Sequence, residues 1–336
     1  MHRNIPLFIA FRLLFNARFY YPVFAVLQLD YGLTMAQFAI LNAVWAISIV
    51  LLEVPSGALA DKLGRKPMVV IASVLMILEM ALIAFVPFGN ATLVFWVWVL
   101  NRILSGAAEA AASGADEALA YDSLPAEKQE KEWPSVLTRL MTYKSIAFAI
   151  AMLLGGAVYD AHFLNGLLGT SFEKETVIRF PVYLTLLSAL ISLPIVLAMT
   201  EPEIHSEPGE EVNASFWVEI GKTARWILGT PLVFSLILAA LVHDTLMRLF
   251  LTMNSEYYRL IDLPESSFGI IGAGFAALGI IAPKIAKRMV ERGKMATNYL
   301  WVSLLTFTGL FLVAQTWQYY GAVSYTHLTL PTILLV

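Results

Sequence analysis

Two things are scarce in this chain of 336 residues: it contains no cysteine, and only 14% of its residues are charged. The lack of cysteine excludes disulfides and thiolate metal sites. Soluble domains carry about 25% charged residues. With 59% hydrophobic residues, so few charges could not cover the surface of a fold in water, and we expect lipid to surround most of the chain. The net charge of -3 offers no polybasic surface, so nucleic acid is not an expected partner.

The sequence also lacks the patterns of the common enzyme classes. Its histidines are scattered, and none forms an HExxH pair. No glycine-rich phosphate loop is present, which argues against an ATP-driven pump. We therefore expect no catalytic residue, no metal and no cofactor. The first hydrophobic stretch has no small-residue cleavage site after it, so it is expected to remain as a spanning helix.

What the chain has in abundance is long apolar stretches, each sufficient to cross about 30 Å of hydrocarbon. Thr34 and Gln37 form a capping-box pattern before the second stretch, and Pro67 lies at the start of the third. The pattern predicts an all-α polytopic membrane protein of about nine transmembrane helices, near residues 7–28, 36–60, 68–87, 92–120, 137–159, 179–199, 231–253, 267–286 and 298–316.

The distribution of Lys and Arg predicts the orientation. With the N-terminus in the cytoplasm, fourteen basic residues fall in cytoplasmic segments and only three, Lys174, Arg179 and Arg259, in external ones. This asymmetry is typical of membrane proteins that follow the positive-inside rule. We expect a multi-pass protein of the cell inner (plasma) membrane.

An acidic, proline-broken segment divides the chain after residue 200. Its second part predicts an interfacial helix or an extension of the seventh helix, and both alternatives stay open. Residues 29–46 resemble residues 261–277, which indicates an internal repeat. The tail after residue 322 resembles a translated sequencing adapter and is expected to be non-native. The expected domains are a six-helix bundle (1–200), a cytoplasmic linker (201–230), a partial C-terminal bundle (231–322) and the tail (323–336).

The most specific motif is the charged turn after the second helix, with glycines that allow a tight reversal and charges that can pair at the membrane surface. Its defining residues are Gly57, Asp61, Gly64, Arg65 and Lys66. The run resembles the loop signature of the major facilitator superfamily. That resemblance implies a gating loop in which Asp61 faces the N-terminal dipole of a helix in the opposite half. It also implies a six-helix bundle with a second bundle, and we expect the second to be incomplete here, without the eleventh helix that carries this dipole.

The fourth helix carries the second signature. Arg102 and Gly106 match the superfamily's Arg-and-Gly pattern there, and Arg102, Glu109 and Asp116 are seven apart and share one helix face. A rise of 1.5 Å per residue places Arg18 at about the height of Glu109, and Arg12 at about that of Asp116.

Charges inside a membrane need partners. We therefore expect two pairs, Arg18 with Glu109 and Arg12 with Asp116. Glu53 and Lys144 are expected to join the second pair in a structural cluster, which is the favoured role for Asp116. For Glu79, packing is expected rather than a part in transport, because the resemblance places its helix outside the cavity.

Arg18, Glu109 and Arg102 are expected to bind solute or protons. Asp244 and Arg248, four apart, form either a neutral intrahelical pair or a further site. The sequence therefore predicts a monomeric secondary transporter of a small organic solute, with lipid, solute and protons as its partners. Uptake and efflux stay open, because Gly155-Gly156 lacks the Gly-Pro step that precedes this pair in antiporters of the superfamily. The alternatives are a carrier-like sensor without flux and a polytopic membrane enzyme.

Overall fold

The structure is a computed structural model. It describes residues 3–201, 225–231, 233–235, 251–292, 297, 300, 301, 304, 305, 307–309 and 311, without the side chains of Asp61 and most residues from 278 to 292. Every regular element in these ranges is helical. Among the described residues, five helices are long and apolar enough to span a membrane: Met35–Ala60, Arg65–Phe85, Ala91–Asp122, Ala126–Tyr159 and Lys174–Leu197.

In chain order the elements are α1 (Asn4–Asn16), a 3-10 turn (Tyr21–Val23), α2 (Phe24–Asp30), α3 (Met35–Leu63), α4 (Arg65–Phe85), α5 (Ala91–Ala112), α6 (Ala115–Asp122), a 3-10 turn (Ala126–Lys128), α7 (Gln129–Tyr159), α8 (Ala161–Leu168), α9 (Lys174–Val177), α10 (Phe180–Leu197) and α11 (Glu265–Arg292). Short connections join the elements from α1 to α10, and a second compact unit, Glu203–Thr252, lies between α10 and α11. Residues 251–260 are also helical. The predicted helices 231–253 and 298–316 lie largely outside the described residues.

The prediction of one continuous first helix is wrong. α1 ends at Asn16, and the chain runs non-helically to the turn at Tyr21–Val23 before α2 begins. Pro22 cannot donate a helical hydrogen bond, which favours the break. Neighbouring helices satisfy backbone N–H groups at the break: Phe19 donates to Thr185 Oγ1 at 3.0 Å, and Ala25 donates to Ser255 Oγ at 3.0 Å. A spanning helix can be broken in this way only where protein replaces the lost bonds.

The predicted helix 92–120 is also divided. α5 ends at Ala112, and α6 begins at Ala115 after Gly114, whose φ is +72°. α7 begins at Gln129 and not near 137, and α11 ends at Arg292 and not near 286, whereas the other predicted boundaries are close to those observed. Thr34 and Gln37 form the expected capping box. In the two segments that resemble each other, Phe38 and Phe268 both lie early in their helices and are both buried.

The apolar core lies between the helices, while large apolar side chains also cover the outside. α4 packs against α5 and α10, α3 against α5, and α7 against α11. Phe8, Phe11 and Phe15 of α1 are buried in this core. Ile47, Val50 and Leu51 of α3 are exposed. Water is a poor solvent for that outer surface, so lipid is its natural environment.

Helices α7 and α11 approach each other closely because glycines lie at their contact. A Cβ atom on Gly156 would lie 2.6 Å from the backbone nitrogen of Gly269, and one on Gly269 would lie 2.3 Å from the Met152 carbonyl oxygen. Gly155 packs in the same way on the break in the first helix, 1.7 Å from the Phe19 carbonyl oxygen to its virtual Cβ. Small residues permit such close packing in membranes.

The chain divides into two compact units. The first comprises Met1–Pro202 with Met253–Val336, and the second comprises Glu203–Thr252. Within the second unit, residues 225–229 and 233–235 are helical among those described. The domain boundaries expected from the sequence stay a prediction.

Candidate functional site

The break in the first helix places Arg18 in the middle of the first unit. Its side chain is only 2% exposed, and its Nη1 forms an ion pair with Glu79 of α4, which is 0% exposed. Nη2 of the same guanidinium lies 3.7 Å from Oε1 of Glu109 on α5, a side chain that is 36% exposed. Arg18 thus holds two carboxylates, one fully enclosed by protein and one accessible.

Glu79, expected to serve packing rather than transport, is the direct partner of Arg18, a contact that the sequence analysis did not predict. The structure also brings Arg18 and Glu109 together as expected, although at a longer distance. Helix heights gave the level of each charge but not the direction in which it points. The signal for Glu79 was the carboxylate itself, since a lone acid in an apolar spanning helix requires a partner.

Arg102 extends this group of charges. Its Nε donates to Oδ1 of Asn101 at 3.0 Å, and Nδ2 of Asn101 donates to the backbone oxygen of Glu79 at 2.7 Å. We call Arg18, Glu79, Asn101, Arg102 and Glu109 the central charge network. Arg102 is 4% exposed, and its Nη2 has no hydrogen-bond partner among the described residues.

Aromatic side chains surround the central charge network. The Arg102 guanidinium lies over the rings of Phe24 and Trp98, at 5.4 and 5.6 Å from their centroids. Tyr21 makes edge contacts with Phe24 and with Phe148 of α7, each at 6.4 Å between centroids. Tyr21 is also one of the exposed aromatic residues. The network therefore has an apolar aromatic wall on one side.

A second group of charges joins α1 to α6. Nε of Arg12 is 2.8 Å from Oδ2 of Asp116, as the sequence predicted, and its Nη2 donates to Glu117 at 2.8 Å. The described ion pairs of this group do not include the predicted members Glu53 and Lys144. Glu53 instead accepts a hydrogen bond from Ser113 Oγ at 3.1 Å. The Lys144 residue is exposed, but its charge interacts with those of Arg12, Asp116 and Glu117.

The motif residues lie at the end of the bundle that we call the Arg65 end. The turn is shorter than predicted: Gly57 lies within α3, and Gly64 alone, with φ of +93°, reverses the chain. The backbone amides of Arg65 and Lys66 donate to the Glu201 carboxylate at 2.7 and 2.6 Å. A carboxylate at the N-terminus of α4 satisfies free amides and complements the helix dipole.

The basic side chains of the motif bind the same half of the chain. Arg65 pairs with Asp122 at the end of α6 and donates to the Ala118 oxygen at 2.8 Å. Lys66 Nζ donates to the Leu197 oxygen at 3.1 Å. The Asp61 side chain lies outside the described residues, so its role as a latch stays a prediction. Asp244 and Arg248 lie outside them too.

The opposite end of the bundle, the Asp30 end, carries a cluster that the sequence analysis missed. Nη1 and Nη2 of Arg259 donate to the two carboxylate oxygens of Asp30 at 2.8 and 2.9 Å, and Arg259 also binds Glu265 at 3.0 Å. Lys174 contacts Glu265 at 3.0 Å and Asp30 at 3.5 Å. Tyr159 donates to Asp30 at 2.6 Å. We call these five residues the Asp30 cluster.

The Asp30 cluster joins α2, α7 and α9 to the helix at residues 251–260 and to α11. Burial alone would raise the pKa of the Asp30 carboxyl. The hydrogen bonds from Arg259 and Tyr159, with the charges of Arg259 and Lys174, outweigh this and hold that pKa below its usual value. The ionised form of Asp30 is therefore favoured near neutral pH. No spacing in the sequence indicated this cluster, because its members come from both sides of the acidic segment.

Comparison with known proteins identifies the fold. Among solved structures, the nucleoside transporter NupG has 12% identity and a TM-score of 0.74, over 98% of this chain and 79% of that one. A bacterial homologue of the human lysosomal transporter Spinster has 15% identity and a TM-score of 0.66, over 98% and 74%. A D-xylose–proton symporter has 12% identity and a TM-score of 0.65, over 98% and 79%.

At these identities the similarity concerns the fold alone. The comparison with curated proteins gives no match. The family model of the Major Facilitator Superfamily matches residues 7–333, almost the whole chain and most of the tail set aside above. The chain therefore belongs to the Major Facilitator Superfamily of non-enzymatic membrane carriers.

Proposed function

We propose that this protein transports a small organic solute by alternating access, coupled to protons, with the central charge network as its binding site. The observation that carries the proposal is the unequal pairing of Arg18. Glu79 is buried and neutralises the guanidinium, while Glu109 is 36% exposed and lies 3.7 Å away. Glu109 can therefore accept a proton without leaving Arg18 unpaired.

The two carboxylates then have different roles. Glu79 keeps Arg18 charged and in place throughout the cycle. Glu109 exchanges protons with the accessible side, and its protonation frees Nη2 of Arg18 for the solute. Coupling of this kind arises when one cation serves either a titratable carboxylate or a ligand. The D-xylose–proton symporter among the structural relatives is an example of proton coupling on the same fold.

Alternating access requires that one end closes while the other opens. The Asp30 cluster and the glycine contacts between α7 and α11 join helices from both sides of the acidic segment at the Asp30 end. We propose that these contacts close the Asp30 end in the state described. We place the protein in the cell inner membrane. The distribution of basic residues then puts the N-terminus and the Arg65 end on the cytoplasmic side. The solute then reaches the network from the Arg65 end in this state.

The test is flux through the purified full chain in proteoliposomes. A panel of radiolabelled sugars, nucleosides, carboxylates and amines is offered under an imposed pH gradient in each direction. We expect at least one solute to accumulate against its concentration gradient, and we expect a protonophore to abolish this accumulation. The direction of the effective pH gradient separates symport from antiport. Specific binding without flux would instead support the carrier-like sensor, and accumulation unaffected by the protonophore would exclude proton coupling.

A further inference from the structure

Arg102 is a buried cation that forms no ion pair among the described residues. Its only hydrogen bond there is from Nε to the Asn101 amide, and Nη2 has no acceptor. Both carboxylates of the central charge network lie on the other arginine, Arg18. An enclosed charge without a partner is strongly unfavourable. A protein retains such a charge where a ligand supplies the missing partner.

The direction from which a partner can approach is restricted. The Arg102 guanidinium lies over the rings of Phe24 and Trp98, and its Nε donates to Asn101. Nη2 is the nitrogen that has no acceptor among the described residues. Guanidinium N–H groups match the planar geometry of a carboxylate. The charge count agrees: with Glu109 protonated, Arg18 and Arg102 face only the single charge of Glu79, which leaves room for one anionic group.

The surrounding aromatic wall indicates the rest of the ligand. Tyr21, Phe24 and Phe148 form a continuous set of ring contacts beside the network. Binding sites of this composition take ligands with an apolar body and a few polar groups that fix their orientation.

We propose that the solute is an organic carboxylate with an apolar or aromatic body, and that Arg102 is the residue that binds its carboxylate. This rests on the proposed function and adds the substrate class. The carboxylate replaces the negative charge that Glu109 loses on protonation, so solute and proton bind together. Arg102 then discriminates against uncharged analogues, since these leave its terminal nitrogen unpaired.

The experiment is thermal unfolding of the full chain in lipid nanodiscs, with each ligand tested as a carboxylate and as its primary amide. The pairs are benzoate and benzamide, phenylacetate and phenylacetamide, indole-3-acetate and its amide, and lactate and lactamide. At saturation we expect at least one carboxylate to raise the unfolding midpoint by about 2 °C or more, and its amide to leave it unchanged. Arg102→Gln should abolish the shift. The control Arg139→Gln, which removes an exposed arginine of α7, should keep it.

A measurement without ligand tests the premise separately. If Arg102 has no partner in the protein, Arg102→Gln has an unfolding midpoint equal to or above that of the wild type. A lower midpoint for Arg102→Gln, matched by Asp244→Asn and not lowered further in the double variant, would mean an internal ion pair and would overturn the proposal. So would a panel in which no carboxylate gives a shift that depends on Arg102.

Failure of the carboxylate assignment can be distinguished from failure of the proposed transport function. Proton-driven flux of only neutral or cationic solutes, unchanged in Arg102→Gln, leaves the carrier intact and overturns the assignment of a carboxylate. Arg102-dependent binding of a carboxylate that shows no flux under any pH gradient supports the binding site and contradicts transport.

Discussion

Arg259 donates both terminal nitrogens to the two carboxylate oxygens of Asp30, at 2.8 and 2.9 Å. This two-point contact joins the end of the first helix to a helix that lies beyond the acidic segment. Paired N–H donors fix orientation as well as distance. Three further residues, Tyr159, Lys174 and Glu265, contact one or both partners. The Asp30 cluster therefore holds the Asp30 end, and in the proposed alternating access it must separate when that end opens.

Asp30→Asn is expected to lower the stability of the unit by about 1 kcal/mol at neutral pH, because the contact is charge-assisted but partly exposed. The pKa of Asp30 lies below its ordinary value of 3.8, so the folded protein favours the ionised form. That contribution is complete above the ordinary value and is lost as the pH falls through the lowered pKa. Thermal unfolding of both proteins between pH 7 and pH 3 measures the difference.

The difference between wild type and Asp30→Asn should be constant from pH 7 to about pH 5 and shrink below the ordinary pKa of an aspartate, about 3.9. Arg139→Gln, which removes an exposed charge outside the cluster, is the control and should follow the wild type throughout. A difference between wild type and Asp30→Asn that grows on acidification would contradict the assignment of an ionised Asp30.

Gly155→Ala is expected to destabilise the protein by about 1–3 kcal/mol, because a methyl group at this position overpacks the contact. The added Cβ would lie 1.7 Å from the Phe19 carbonyl oxygen, so α7 must move away from the break that carries Arg18. Gly166→Ala in α8 is the matched control, since no atom lies within 4 Å of its virtual Cβ. It should be neutral or stabilising by up to about 1 kcal/mol.

Unfolding midpoints of the two alanine variants in the same nanodiscs decide this prediction. Opposite signs are expected for Gly155→Ala and Gly166→Ala. Equal midpoints would show that the break in the first helix does not pack on α7 as described.

Glu79→Leu is expected to cost about 3–5 kcal/mol, since it leaves the buried guanidinium of Arg18 without its enclosed partner. The double variant Arg18→Leu with Glu79→Leu removes both charges and should regain most of the lost stability, although it should not transport. Yield of folded protein and the unfolding midpoint measure the first effect. A double variant no more stable than Glu79→Leu would argue against a direct ion pair.

The sequence predicted the helical membrane fold, the family and the heights of the intramembrane charges. Spacing along a helix gives height reliably, and Arg12 with Asp116 is an example of charges at matched heights that do meet. Spacing does not give the direction in which a side chain points around the helix axis once the helix is broken. The break at residues 17–20 is what turns Arg18 towards α4, and Glu79 was therefore missed as its partner.

The Asp30 cluster could not be predicted from the sequence, for a different reason. Asp30 and Arg259 are far apart in the chain, and their contact depends on how helices from either side of the acidic segment associate. No periodicity within one helix encodes that association. The glycines Gly155, Gly156 and Gly269 are the signal that was present, because small residues in apolar helices indicate close contacts. Only the structure showed which helices they bring together.

We propose that Glu79 keeps Arg18 charged while Glu109 exchanges protons. The most direct test is Glu109→Gln in proteoliposomes, using a solute identified in the flux panel. Exchange of labelled for unlabelled solute at equal pH is compared with accumulation under a pH gradient. We expect exchange to persist in Glu109→Gln, whereas accumulation falls to the level set by the solute gradient alone. Accumulation driven by the pH gradient to the wild-type level in Glu109→Gln would contradict the account.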